Sequence, residues 1–195
     1  MTTIFAFDTA TSAASCALLR DGEVAGERLT EARSILAAAD ELVRGAGLEH
    51  DDLDAIVVGT GPGSFTSIRI GLATARGIGL ALEIPAAGVS TFHAFEGGLP
   101  VIDAKRGQVF TVEPTTGGPS VGPPRELEVQ GRRLVGDGAV RYRDVFEAAG
   151  AEIPPDDDPV HVPAARLLVA HAGDFAAAET IEPLYVRAPD ALPAR

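Results

Sequence analysis

Asp8 closes an apolar stretch, Ile4-Phe5-Ala6-Phe7, and is followed by the hydroxyls of Thr9 and Thr11. A carboxylate so placed can order the waters of a magnesium ion while the hydroxyls meet phosphate oxygens. The structural alternative is a closed turn in which the same groups bond nearby amides. A second candidate is Gly59-Thr60-Gly61-Pro62-Gly63-Ser64, lying between an apolar run and a helical pattern. Exposed amides and a helix N-terminus favour an anion at such a junction, with Gly61, Gly63 and Ser64 as the contacts. The details depart from familiar nucleotide loops. A dinucleotide fingerprint needs glycine where Ser64 stands, and no Gly-Lys-Ser/Thr is present. The glycines therefore read better as a tight turn with close helix-strand packing.

Other reactive side chains form no working pattern. His50, His93, His161 and His171 are scattered without metal-ligand spacing, and neither Ser64 nor Ser90 lies in a Gly-x-Ser-x-Gly elbow. The single cysteine, Cys16, sits in an apolar stretch and reads as a small core residue. Arg132, Arg133, Arg141 and Arg143 form the one local basic cluster. It offers phosphate contact but pairs more naturally with Asp137, Asp144 and Glu147.

Composition narrows the classes further. With 16 basic against 28 acidic residues the formal charge is −12, a field that repels polyanions and disfavours strong nucleic-acid binding by this chain alone. Lys105 is the only lysine, which removes most candidates for a phosphate-binding or Schiff-base amine. No apolar run approaches the roughly 18 residues that span a bilayer, and Met1-Thr2-Thr3 lacks a basic leader, so a cytoplasmic protein with no membrane partner is expected.

These groups need elements to position them. Ile4 to Phe7, Ser15 to Leu19 and Glu23 to Leu29 read as an antiparallel meander, the last two joined by Asp21-Gly22. Apolar residues at three- and four-residue spacing predict helices over 31–46 and 66–82, with a doubly buried strand, 53–59, between them. A strand over 85–89 and a short helix capped by Ser90 complete a β-β-β-α-β-α-β order, an α/β layer with helices covering a mixed sheet. In the second half, 101–103 and 108–112 predict a hairpin and 133–135 a strand. Helices are expected over 140–149 and 164–172, and 114–124 reads as loop.

The opening Ile4-Phe5-Ala6-Phe7-Asp8-Thr9-Ala10-Thr11 and the block from Gly59 to Gly71 resemble the TsaB (YeaZ) family. Val101 to Phe110, Gly136-Asp137-Gly138-Ala139 and Pro183-Leu184-Tyr185-Val186-Arg187 are similar to that family's later landmarks, in the same order. The resemblance implies a two-lobed actin-like (ASKHA) fold, with lobes at 1–97 and 98–195. It also implies a non-catalytic subunit that activates TsaD in forming N6-threonylcarbamoyladenosine at position 37 of transfer RNA. A further implied partner is the ATPase TsaE, with tRNA engaged only through the complex. The rival readings are a small actin-like nucleotide-binding enzyme, phosphotransferase or peptidase, using Asp8 and the 59–63 loop, and a homodimer formed through the apolar surface of the same helices when TsaD is absent. The expected TsaD contact lies on the first lobe's two helices, at Ile35, Leu36, Ala39, Leu42, Leu72, Ala75, Arg76 and Gly79. On this expectation Leu72→Arg abolishes TsaD binding and leaves the chain folded. No cofactor is required of this chain, though the actin-like resemblance leaves weak ATP or ADP binding open at Asp8, Thr9, Thr11, Gly61, Gly63 and Ser64.

Overall fold

The computed structural model describes residues 1–113 and 116–187. The end of the expected second lobe, 188–195, and positions 114–115 of the expected loop lie outside the described residues. Strands β1 (Thr3–Asp8), β2 (Ala14–Arg20) and β3 (Glu23–Thr30) form the antiparallel meander, with β1 and β2 in register from Thr3 opposite Arg20 to Asp8 opposite Ser15. Asp21 and Gly22 both take positive φ, 51° and 85°, the twist that a two-residue hairpin turn needs. Strands β4 (Ala55–Gly59) and β5 (Ala86–Val89) add in parallel on the far side of β1, giving the order β3-β2-β1-β4-β5.

Parallel neighbours need crossovers, supplied here by α1 (Ile35–Gly45) and α2 (Phe65–Leu82). The first turn of the expected 31–46 helix is tighter than α-helical, a 3-10 turn over Ala32–Ser34. Period-two alternation divides the central strands cleanly. Phe5, Phe7, Cys16, Leu18, Ile56 and Val58 join Ile35, Val43, Ile68, Leu72 and Ala75 in one apolar cluster under the two helices. Ala6, Ala17, Leu19 and Val57 point to the other face.

That other face carries the rest of the chain. A second sheet, order β8-β7-β6-β9, is built from β6 (Leu99–Lys105), β7 (Gln108–Val112), β8 (Pro119–Gly122) and β9 (Leu134–Val135). The expected 114–124 loop therefore contains a strand. The chain reverses at Gly117, φ 69°, and Val121 pairs opposite Phe110, packing with it on the shared core. The helix expected over 140–149 starts earlier and is broken. It forms α3 (Asp137–Arg141) and α4 (Arg143–Ala148), divided at Tyr142. Gly138 lies so close to the β6 backbone that a Cβ would stand 2.8 Å from the Ile102 carbonyl carbon, pinning α3, while Phe146 of α4 is drawn into a separate core cluster. The helix expected over 164–172 is a 3-10 segment, Ala165–His171, whose three-residue period buries Ala165 and Leu168 together.

Both sheets share one apolar cluster, in which Ala6, Ala17, Leu19 and Val57 meet Ile102, Ala104, Phe110, Val135 and Leu168. Beyond His171 the chain becomes a strap. Ala176 exchanges backbone hydrogen bonds with Ala86 on β5, the amide of Leu184 donates to Thr60 O (2.8 Å), and Arg187 donates to Gln108 Oε1 (2.8 Å) and Ala104 O (3.1 Å). Among the described residues no helix is long and apolar enough to cross a membrane.

Candidate interlobe cleft and docking face

Asp8, at the end of β1, is fully buried. Its Oδ2 accepts from Thr91 Oγ1 at 2.6 Å and its Oδ1 from the Ala10 amide at 2.7 Å, while Thr91 Oγ1 also accepts from the Gly61 amide at 3.0 Å. Burial pushes the Asp8 carboxyl above the ordinary range, and these two donors pull it back. Gly59 leaves the space the carboxylate fills, since a Cβ there would overlap it. Thr9 is equally enclosed, donating to Ser67 O at 2.7 Å, and Gly71 makes room for its hydroxyl. Gly63 lies against the Ala10 carbonyl, which accepts from the Ser64 amide at 2.7 Å. The closed-turn reading of these residues describes their geometry, with the glycines providing close approach.

A cleft of about 400 Å³ lies between the two sheets, and only part of the expected nucleotide set reaches it. Thr11, Gly63 and Ser64 line it; Asp8, Thr9 and Gly61 do not. Thr11 Oγ1 is bonded to Ala13 O, and Ser64 Oγ caps α2 by accepting from the Ser67 amide at 3.4 Å. The opposite wall carries Asp103, Lys105, Arg106 and Asp137, with Lys105 Nζ on Asp103 Oδ2 at 2.7 Å and Asp137 Oδ2 accepting from Ser12 Oγ at 3.1 Å. Thr91, the partner that completes the Asp8 turn, is not evident from sequence, because 83 positions separate the two.

The remaining candidates are taken up within the chain. Cys16 is buried and its thiol is pushed up to about 11, so it is no nucleophile at neutral pH. Ser90 Oγ donates to Gly61 O and accepts from the Phe92 amide. His93 stacks on His171 with ring centroids 4.0 Å apart, and burial and the neighbouring imidazole both hold His93 below its usual range. Among the described residues no group of three or more His, Cys, Asp or Glu is placed to hold a metal ion. Of the basic cluster, Arg143 binds Glu147 and Asp156, Arg133 binds Glu152, and Arg141 reaches Asp103.

On the helices, the expected contact residues divide by face. Ile35, Ala39, Leu72, Ala75 and Gly79 are buried beneath their own helices, and Leu42 is half-buried against Gly26. Leu72→Arg would thus place a charge in the core and test folding before it tested binding. Leu36 is 60% exposed, and Arg76 is exposed while donating to Ile181 O at 2.9 Å. The outward face of α2 comprises Thr66, Arg69, Ala73, Gly77, Leu80 and Ala81, with Leu80 81% exposed. Leu80 escaped the sequence reading, although it lies seven residues past Ala73 and so on the same helical stripe. Gly77 differs from Gly71 and Gly79: a Cβ added to it meets nothing within 4 Å, whereas the other two would collide with Thr9 and Ala178.

The profile of TsaD, tRNA N6-adenosine threonylcarbamoyltransferase, matches residues 28–119. An uncharacterized protein of Mycobacterium tuberculosis is 35% identical over 212 aligned residues, covering 99% of this chain and 95% of that one. The tRNA threonylcarbamoyladenosine biosynthesis protein TsaB of Escherichia coli is 36% identical over 124 residues, 56% of this chain and 54% of its own length. The match thus spans about half of that protein. A Pseudomonas aeruginosa crystal structure, described as similar to the peptidase YeaZ, superposes with a TM-score of 0.76 at 26% identity, covering 96% of this chain and all of that one. Together with the two mixed sheets, flanking helices and intervening cleft, these likenesses place the chain in the TsaB (YeaZ) family, with its two-lobed actin-like fold.

Proposed function

We propose that this chain is a non-catalytic accessory subunit that docks on a TsaD-type transferase and activates it for threonylcarbamoyladenosine formation on tRNA. The TsaB relatives are named for that biosynthesis, which supports a place in the same pathway. The observation that carries the finer reading is the outward face of α2. An exposed mid-helix glycine costs about 1 kcal/mol relative to alanine, and the chain's own packing gives Gly77 no steric reason to be there. A partner helix approaching closely over Ala73, Gly77 and Ala81, with Leu80 and Leu36 as apolar anchors, supplies one. The internal hydrogen bonding of Asp8 agrees with a subunit that leaves the chemistry to its partner. Its charge of −12 agrees with contact to tRNA only through the complex, and recruitment of TsaE belongs to the same reading.

The test mixes this chain with TsaD from the same cell in size-exclusion chromatography with light scattering, and follows threonylcarbamoyl transfer to tRNA. A heteromer on which modification depends is the expected result. Leu80→Arg, at an exposed position, leaves the fold intact and loses the heteromer. Turnover of ATP or a peptide by the chain alone, without a heteromer, rejects the reading, and a homodimer that TsaD does not displace rejects it as well.

A further inference from the structure

Near the start of α2 the guanidinium of Arg69 lies over the ring of Phe65, 5.0 Å from its centroid, and Phe65 lies 5.1 Å from the ring of Tyr185 on the strap, tilted by 30°. Phe65 and Tyr185 are each 39% exposed, and Arg69 is exposed. An exposed arginine ordinarily loses rotamer freedom when it binds. One already laid on a ring, itself backed by a second ring, has lost part of that freedom beforehand.

Its electrostatic setting differs from that of the ion-paired arginines. Arg28, Arg44, Arg143 and Arg166 are each matched to carboxylates. Among the described residues Arg69 has no ion-pair partner, in a sequence with 28 acidic side chains. From Phe65 to Leu82 the only charged residues are Arg69 and Arg76, and Arg76 is engaged by the Ile181 carbonyl. This helix of charge +2 in a chain of −12 presents a pre-ordered guanidinium whose planar face is covered by Phe65 and whose N–H edge meets no carboxylate among the described residues.

We propose that Arg69, held on Phe65 and Tyr185, is the receptor for a carboxylate on the facing helix of the partner protein, so that the strap contributes to the docking face. This rests on the accessory-subunit reading above. A planar guanidinium fork suits carboxylate and phosphate alike. The chain's negative field repels RNA, and the next outward residues along the helix, Ala73 and Gly77, suit close approach of a protein helix rather than a phosphate backbone.

Calorimetric titration of TsaD from the same cell into the wild type, Arg69→Lys, Arg69→Glu and Phe65→Leu tests the proposal, with each variant's thermal midpoint as the folding control. Arg69→Glu is expected to weaken affinity by about tenfold or more. Arg69→Lys falls between, because an ammonium keeps the charge and loses the stacked fork, and Phe65→Leu weakens binding with the charge intact. Added salt weakens the wild type more than Arg69→Glu. Unchanged affinity in Arg69→Glu overturns this inference while leaving the accessory reading standing, whereas a wild type that fails to bind TsaD overturns both. Should Arg69→Glu misfold, the Arg69→Lys and Phe65→Leu titrations decide the matter, and wild-type affinity in both overturns the inference. Loss of tRNA retention by the complex with TsaD affinity unchanged assigns Arg69 to phosphate, and that too overturns it.

Discussion

The carboxyl of Asp8 is shut away from water with two donors on it, and burial outweighs them in setting its proton affinity. A carboxyl whose folded pKa is raised above the unfolded 3.8 contributes stability that is complete below 3.8 and is lost as pH rises through the folded value. Asparagine keeps the shape, accepts from Ala10 and can donate to Thr91, whose oxygen has two lone pairs. Asp8→Asn is therefore expected to flatten the fall of unfolding free energy with rising pH in urea melts, and to support threonylcarbamoyl transfer as well as wild type does. Loss of transfer with the fold intact would return Asp8 to the chemistry. Gly59→Ala forces a methyl onto the same carboxylate and should cost about 3 kcal/mol in those melts. At this scale the sequence was legible as far as side-chain types allow. Asp8, Thr9 and the glycines were visibly a unit, but whether the carboxylate faced a ligand or Thr91 depended on a contact 83 positions away.

Among the elements, α2 carries the sharpest contrast, because its three glycines answer to different neighbours. Gly71 and Gly79 are fixed by Thr9 and Ala178, so alanine at either would strain the fold, whereas Gly77 faces open space. Gly77→Ala is expected to stabilise the isolated chain by about 1 kcal/mol in thermal melts and to weaken TsaD binding in calorimetry. Opposite signs in the two measurements distinguish a docking surface from an ordinary solvent face. The strands and helices of the first half were legible because alternation and three-to-four spacing differ so plainly there. Which side of each helix would be spare was not, since Leu72 and Leu80 are chemically alike and only packing on the sheet separates them. Beyond Gly98 the signals were short: β8 has four residues between prolines and glycines, and the 165–171 segment winds to a three-residue period.

For the molecule as a whole, cohesion between the halves comes from the shared apolar cluster and from the strap that crosses them. Arg187 ties the strap's end to Gln108 and Ala104 of the second sheet, while Leu184 ties it to Thr60 of the first. Arg187→Ala should lower stability by about 1 kcal/mol and speed hydrogen exchange at the Leu184 amide relative to the β4 amides. Equal exchange in variant and wild type would mean that the strap is held by its other contacts alone.

The Ala86–Ala176 bridge has a consequence for how the chain is made. The first sheet contains every one of its strands once Val89 has been synthesised, yet the segment lying along the free edge of β5 is encoded some ninety positions later. A nascent chain leaving the ribosome therefore carries a finished sheet with an uncovered hydrogen-bonding edge throughout translation of the second sheet. During that interval the edge is open to a chaperone or to another nascent copy, and it closes only once Ala176 has been synthesised.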